Sequence, residues 1–358
     1  MEKIKAGVIG TGNVAEMHAQ ALKNNPDAEL VAVCGRHGDN AERFAERFGI
    51  PHAFTGLGEM LAMPELEAVC VATANADHGP SSIAALNAGK HVIVEKPMAL
   101  SYAEAQEMEE AARRSGKLLM VGMKYRFTRD FQLLRDLVAS GEFGELYYSE
   151  MWAHRRHGHP GGTFASKKDA GGGILFDCGS HFLDDYYFVA GKPKAVSVYC
   201  ANYNKLGMRP DMKDPRYYVS RASDGTEPNE VEDVSLSMIR YDNGSVLNMP
   251  LSFTLNIEAK NGEEAGYRFC GTKMGAGHDD VEMKLFSDFH GNMTNTTFYT
   301  PMVHNYEEEF KLEIANFLGA IRGTEECLSP AEDGVEIMRV LEALYESAET
   351  GHEVVIKR

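Results

Sequence analysis

The sequence predicts an α/β protein in two parts: a doubly wound parallel sheet, then an α+β domain built on a large open, mostly antiparallel sheet. Three observations predict it. Strand-like apolar runs alternate with amphipathic helical stretches through the first third of the chain. A glycine turn joins the first strand to the first helix. Later runs switch to a two-residue alternation of apolar and polar side chains, and Asn243-Gly244 between two of them is a hairpin signal.

Ile4 to Ile9 reads as the first strand, and Gly10-Thr11-Gly12-Asn13-Val14-Ala15 as the turn into a helix. In this G-x-G-x-x-A pattern Gly10 makes the turn, Gly12 lets the backbone approach a pyrophosphate, and Ala15 lets helix and strand pack closely. The helix N-terminus adds free N–H groups and the positive end of its dipole. Gly10, Gly12, Asn13 and Val14 are therefore candidate dinucleotide contacts. Glycines also mark plain turns; the place of this one, between a first strand and an amphipathic helix, gives it weight. "ELVAVCGR" follows as a strand, and "DNAERFAERFG" as a helix with Asp39 at its N-cap. "EAVCVATA" reads as a buried parallel strand, "HGPSSIAALNAG" as a helix and "HVIVEK" as a strand. "SYAEAQEMEEAARRSG" is a helix capped by Ser101 with Glu104 three residues on, and "LLMVGM" closes the series.

In such sheets ligands bind beyond the carboxyl ends of the strands. Thr73–Asn75 and Glu95–Pro97 lie at such ends, as the glycine turn does. Glu95-Lys96-Pro97 is unusual there, because strands more often close with Gly, Asn or Asp. The second strand ends Cys34-Gly35-Arg36-His37, with no acid at the tip. An Asp or Glu there would read the adenosine ribose of NAD and repel the 2′-phosphate of NADP. Arg36 pairing with a 2′-phosphate is one reading; a solvated Arg36, with Asp39 on the ribose hydroxyls, is the other. The missing acid tips the cofactor, NAD(P), toward NADP.

"DAGGGILFDCGSHFLDDYYFVAG" (169–191) has a flexible glycine entry and then a helical pattern from Ile174 to Val189. Asp177 and His181, four apart, emerge on one face, and Asp184 extends it. A carboxylate beside an imidazole orients it and favours its protonated form, which suits exchange of a proton with a hydroxyl near neutral pH. A satisfied core histidine with acids stabilised by the helix dipole is the plainer alternative. "MWAHRRHGHPGG" (151–162) holds His154, Arg155, Arg156, His157 and His159. Its spacing matches no zinc motif, no cysteine is near, and two arginines would repel a cation, so no metal is expected. Tyr125 and Arg126 follow the last strand of the first sheet, at a domain junction of the kind where ligand clefts form. The polar connection 204–233 is long enough to suggest a role near a cleft or an oligomer contact.

The chain has 358 residues, more than one ordinary core takes. Three segments follow: 1–125 as the dinucleotide-binding domain, 126–330 as a substrate and oligomerisation domain, and 331–358 as a closing helix and strand. The net charge of −17 disfavours nucleic acid as a partner. No apolar run approaches the roughly 18 residues of a membrane span, and "MEKIKAGVIG" enters a strand without a signal segment. A cytoplasmic protein with no membrane partner is expected. The six cysteines lack metal or redox spacing and read as reduced thiols.

Taken together, the glycine turn, the strand-end E-K-P, "TANADH" (73–78), the helix pattern G-G-G-x-x-x-D-x-G-x-H-x-x-D, "VEDVSLSMIRYDNGSV" and the tail "SPAEDGVEIMRVLEALYESAETGHEV" resemble the Gfo/Idh/MocA oxidoreductases over nearly the whole chain. That resemblance implies a Rossmann domain followed by a domain on a large open sheet, with the last helix packing back on the first domain. It also implies NAD(P)-dependent hydride transfer on a secondary alcohol or ketone of a sugar, glycoside or cyclitol. By carry-over Lys96, Asp177 and His181 are the catalytic trio. Thr73, Asn75, His78, Glu95 and Lys96 would border the cofactor. Tyr125, Arg156 and His157, with the trio, would border a small sugar or polyol substrate. His181 would take the hydroxyl proton, oriented by Asp177, while Lys96 donates to the same oxygen; Lys96 as the base is the alternative. Pro97 fixes the direction in which the backbone leaves the strand, and an X-Pro bond such as Lys96–Pro97 tolerates the cis form cheaply; a homodimer or homotetramer formed through the second sheet is expected. Two other readings stay open: glycoside hydrolysis through transient oxidation with retained NAD, and a nucleotide sensor with no catalysis.

Overall fold

A computed structural model describes residues 2–207, 219–220, 223–258, 265–278, 282–300, 302 and 304–357. The middle of the long polar connection, 208–218 with 221–222, lies outside the described residues.

In chain order the first part runs β1 (Ile4–Ile9), α1 (Asn13–Asn24), β2 (Ala28–Cys34), α2 (Gly38–Phe48), β3 (His52–Phe54), α3 (Leu57–Leu61), β4 (Ala68–Val71), α4 (His78–Asn87), β5 (His91–Glu95), α5 (Tyr102–Ser115) and β6 (Leu119–Gly122). Then come α6 (Arg129–Ala139), β7 (Leu146–His154), α7 (Lys167–Ala170), α8 (Ser180–Val189), β8 (Ala195–Tyr203), β9 (Val234–Tyr241), β10 (Val246–Ser252), β11 (Ala265–Gly271), β12 (Gly275–His278), β13 (Met283–Phe289) and β14 (Asn292–Thr297). The chain closes with α9 (Tyr306–Ile321), α10 (Ala331–Thr350) and β15 (Val354–Val355). It divides into two compact units, Met1–Phe127 with Asn305–Met338, and Thr128–His304 with Arg339–Arg358.

In the first unit all strand pairs are parallel, in the order β3-β2-β1-β4-β5-β6. The order reverses between β1 and β4, which opens a crevice beyond their carboxyl ends. Strands buried on both faces read as unbroken apolar runs, and Val8, Val69, Cys70, Val92 and Val94 are fully buried. β3 and α3 carry no such signal, being three and five residues long. Ser101 caps α5 as expected: its Oγ accepts the Glu104 N–H at 3.1 Å, and Glu104 accepts the Leu100 N–H at 2.8 Å. Asp39 is not the cap of α2. His37 holds that position, and Asp39 stands in the first turn, where the helix dipole still favours an acid.

The sequence boundary at 330 shifts. Helix α9 belongs to the first unit, because Phe310, Ile314, Phe317 and Leu318 enter the same core as Ala15, Ala19 and Leu22 of α1. α10 gives its first two turns to this unit and the remainder to the second.

Among the described residues of the second unit nine strands run β14-β13-β12-β11-β7-β10-β9-β8-β15. Of their pairings only β7 with β10 is parallel. Asn243-Gly244 makes the β9–β10 turn, with Gly244 at φ 86°. One face is covered by α8, where the Tyr186 ring lies 4.5 Å from that of Tyr241 and stacks on Phe269 at 6.3 Å. Among the described residues no helix is long and apolar enough to cross a membrane, and all six cysteines are free thiols.

Candidate active site

The glycine turn fits a bound pyrophosphate. Gly10 has φ 119°, and a Cβ there would lie 2.2 Å from the Ala72 carbonyl oxygen. Its N–H donates to Cys34 at 2.8 Å, while the Ala72 N–H donates to Ile9 at 2.8 Å, so the turn is pinned to both neighbouring strands. Gly12 faces open space: a Cβ would meet no atom within 4 Å. The N-terminus of α1 has no side-chain cap, and the buried Asn13 Oδ1 has no hydrogen-bond partner. Uncapped N–H groups, a cradle that a side chain would fill and an orphaned polar atom together match the needs of a dinucleotide phosphate. Val14, 38% exposed, flanks the cradle. When bound, NAD supplies the nicotinamide ring that accepts or returns hydride.

Arg36 is exposed and pairs with Asp77 at 2.6 Å. Such an exposed pair is worth at most about 1 kcal/mol, so an anionic ligand can displace it. If Arg36 reads a 2′-phosphate, Arg36→Ala lowers the NADP-to-NAD ratio of kcat/KM by about tenfold to a hundredfold. An unchanged ratio removes that role.

At the end of β5 the Lys96–Pro97 bond is cis, and Lys96 is half-buried. His78 holds this turn from beneath, 1% exposed. Its Nδ1 lies 2.8 Å from the Pro97 carbonyl and its Nε2 3.3 Å from that of Thr73. Burial pulls the imidazole's pKa down despite both carbonyls. A neutral ring has one N–H, and the shorter contact assigns it to Nδ1. Glu95 is also turned inward: Oε1 meets His18 Nε2 at 2.7 Å and Oε2 accepts the Lys96 N–H at 3.3 Å. His78 and Glu95, expected to border the cofactor, hydrogen-bond to the protein and shape the turn that carries Lys96. Thr73 and Asn75 stand half-buried beyond β4.

Tyr125 is half-buried, and its ring lies 4.1 Å from the Lys124 ammonium. Arg126 is 0% exposed, donating to the Leu328 carbonyl at 2.5 Å and to Asp333 at 2.7 Å. Its guanidinium ties the turn after β6 to α10 and the segment before it, within the first unit.

In the second unit the 154–160 segment runs against the sheet. His157 is 6% and His159 0% exposed. Arg155 donates its N–H to Ser252 and Gly158 to Phe253, so the segment prolongs the sheet beside β10. His159 Nδ1 accepts the Gly161 N–H at 3.1 Å, and burial lowers its pKa. Arg156 is half-buried.

Asp177 lies in a π-helical turn, Leu175–Gly179, that leads into α8 with His181. The sequence pattern reads as one continuous α-helix; the π turn is the difference, and such turns recur at functional sites. Asp177 is half-buried, while His181, Asp184 and Asp185 are buried.

Glu232, which the sequence analysis gives no role, anchors this turn. Its carboxylate accepts the Gly173 N–H at 2.9 Å, the Leu175 N–H at 3.0 Å and the Tyr345 hydroxyl at 2.7 Å. Burial raises its pKa against those donors. A Cβ on Gly172 would lie 1.9 Å from the Tyr345 hydroxyl, and one on Gly173 1.9 Å from the Glu232 carbonyl. The glycines are there for close approach, so the entry is tight rather than flexible. Glu232→Gln loses an acceptor for a buried donor and costs about 1–3 kcal/mol in denaturant unfolding. Wild-type stability in that variant would show the carboxylate to be dispensable.

The chain is similar to known proteins along its length. The profile of an oxidoreductase family with an NAD-binding Rossmann fold, GFO_IDH_MocA, matches residues 4–123. The profile of that family's C-terminal alpha/beta domain matches residues 135–356. D-glucoside 3-dehydrogenase of Escherichia coli (strain K12) is 33% identical over 98% of this chain and 97% of that protein. 1,5-anhydro-D-fructose reductase of Ensifer adhaerens is 25% identical over 98% of each. A levoglucosan dehydrogenase, solved in complex with NADH and L-sorbose, superposes with a TM-score of 0.86 at 22% identity over 100% of both chains. The two family profiles cover both halves of the chain, which is a member of the Gfo/Idh/MocA oxidoreductase family.

Proposed function

We propose that this enzyme oxidises a secondary hydroxyl of a glucoside, with the sugar's C3 as the reacting carbon and a nicotinamide dinucleotide as hydride acceptor. The observation that carries the substrate is the 33% identity, over nearly the full length of both chains, to D-glucoside 3-dehydrogenase.

Lys96, Asp177 and His181 are the residues we assign to the chemistry. Oxidising an alcohol requires a base at its hydroxyl proton. His181 takes that proton, oriented by Asp177 one helical turn earlier. The Lys96 ammonium donates to the same oxygen and stabilises the charge developing there. Several features support the assignment. Lys96 sits at the carboxyl end of a parallel strand, on a turn held by His78 and Glu95. Asp177 and His181 sit where a π turn meets an α-helix anchored by Glu232. Gly10, Gly12, Asn13 and Val14 would hold the pyrophosphate, with Thr73 and Asn75 beside the nicotinamide half. Tyr125, Arg156 and His157 are the assigned sugar contacts.

The tip of β2, with Arg36 and no carboxylate, supports NADP as well as NAD. The family profile speaks for NAD. Tyr199 pairs with Met238 across β8 and β9, both more than 40% exposed, and Leu236 stands near them at 46%. That apolar patch supports a homo-oligomer formed through the second sheet, which light scattering would test.

The test is reduction of NAD and NADP against a panel of alkyl glucosides, free aldoses, 1,5-anhydro sugars and cyclitols. A 3-keto glucoside as the product of the best substrate is expected. Oxidation of cyclitols alone, with glucosides untouched, would overturn the substrate assignment.

A further inference from the structure

Three buried side chains from three elements meet at the base of the Lys96 turn. His18 of α1 (1% exposed), Glu95 of β5 (8%) and Glu313 of α9 (0%) each bring a polar atom within 4.8 Å of the other two. His18 Nε2 and Glu95 Oε1 are 2.7 Å apart, and Glu95 Oε2 holds the Lys96 N–H. Both oxygens of Glu313 and Nδ1 of His18 are buried without a hydrogen-bond partner. The neighbours of Glu313 on α9, namely Phe310, Ile314 and Phe317, are core residues. A fully buried acid with neither oxygen satisfied is costly, and a leucine there would be cheaper for stability alone.

Two carboxyl groups this close in an apolar setting do not both ionise. Burial, then the charge of Glu95, push Glu313 well above the ordinary carboxylate range, with Lys124 opposing. For Glu95 burial pulls upward, but the His18 hydrogen bond and charge, then Lys124 and Lys96, outweigh it and hold it low. Glu309 of α9 adds a further like charge toward Glu313, Cys70 of β4 faces both acids, and His78 of α4 feels Glu95. The result is one carboxylate, one neutral acid and an imidazole that donates from Nε2.

The same atoms could be mistaken for a metal site. A separation of 2.7 Å is hydrogen-bond length, shorter than the roughly 3.3 Å between two ligands on one tetrahedral ion with bonds near 2.0 Å.

We infer that His18, Glu95 and Glu313 act as one buried unit that positions Lys96, with a protonated Glu313 beside Glu95 letting Glu95 remain the anion bound to His18 and to the Lys96 amide. The inference rests on the reading of Lys96 as an active-site amine. His18, Glu95 and Glu313 are positioning residues. Through them α1, which begins at the pyrophosphate cradle, is tied to the backbone of Lys96 by one imidazole–carboxylate contact.

Infrared difference spectra of the full-length protein with NAD, wild type minus Glu313→Gln, test the protonation. A carbonyl-stretch band of a protonated carboxylic acid at neutral pH, lost in Glu313→Gln and kept in Glu309→Gln, is expected. The sign of the pH dependence follows. The folded-state pKa of Glu313 is raised, so its contribution to stability is complete below the unfolded value of about 4.3 and is lost as pH rises through the folded one. The melting temperature of wild type should therefore fall relative to Glu313→Gln as pH rises, and Glu313→Leu should show the same flattening.

Positioning is read separately. The Lys96 amide resonance should shift with pH in wild type and not in Glu313→Gln. In a turnover assay the alkaline fall of kcat should flatten in the variant while KM for NAD holds. No band, a band that survives Glu313→Gln, or a Lys96 resonance equally pH-dependent in both proteins would overturn the inference. So would zinc raising the melting temperature of wild type but not of Glu313→Gln, which would make this a cation site. If wild type oxidises no sugar, the proposed activity fails, while the band, the melting curves and the amide resonance still decide this inference.

Discussion

Replacing Lys96 with alanine is expected to lower turnover by about two to four decades, roughly 3–5 kcal/mol of transition-state stabilisation. His181→Ala should lose a similar amount. In the proposed mechanism both groups serve one oxygen, so the two losses should not add: without the ammonium the alkoxide forms poorly, and without the imidazole its proton has nowhere to go. Dinucleotide affinity, measured by quenching or calorimetry, should change little in His181→Ala, since His181 is not among the residues assigned to the cradle. Lys96→Ala is the sharper test, because its backbone is held by Glu95 whatever the side chain. Turnover within about threefold of wild type in either variant would remove that residue from the mechanism.

The second large effect separates two glycines of one turn. Gly10→Ala should destabilise the protein by about 2–5 kcal/mol, since it forces a side chain into positive φ. It also drives a Cβ to 2.2 Å from the Ala72 carbonyl, a backbone atom that cannot swing aside. Gly12→Ala should unfold close to wild type, within about 1 kcal/mol, because its φ of −81° suits any residue and its Cβ meets nothing within 4 Å. The open space is where a pyrophosphate would approach, so Gly12→Ala should weaken dinucleotide binding by at least about tenfold. Thermal melts and binding isotherms on the two variants read this directly. A Gly12→Ala protein that binds NAD normally would show that the cradle is not at this turn.

Much of this site was legible because its signals are local. The G-x-G-x-x-A turn, the apolar runs of β1, β4 and β5 and the Ser101 cap each occupy a few consecutive residues whose physics needs no partner. The partners were not legible. His18 sits in α1 and Glu313 in α9 as ordinary members of helical patterns, and only the folded chain brings them to Glu95. Glu232 lies in the quoted "VEDVS" segment, yet its grip on Gly173 and Leu175 spans nearly sixty positions. Asp333 claims Arg126 from 207 positions away.

Other misses came from weak patterning. β12 is the glycine-rich Gly275–His278, β14 is almost entirely polar and exposed, and β15 has two residues, so none shows an alternation to read. The π turn at Leu175–Gly179 is invisible to a 3.6-residue period, which matches the flanking helix equally well. The burial of His157 and His159 has no local signal, since it comes from backbone hydrogen bonds of Arg155 to Ser252 and Gly158 to Phe253, about a hundred positions away.

The proposed mechanism requires an amine and an imidazole to share one substrate oxygen. A crystal structure with NAD and a glucoside bound tests that most directly. Lys96 Nζ and a His181 ring nitrogen should both lie about 2.6–3.2 Å from the same sugar hydroxyl. If the two side chains reach different hydroxyls, or line separate cavities, the mechanism is wrong.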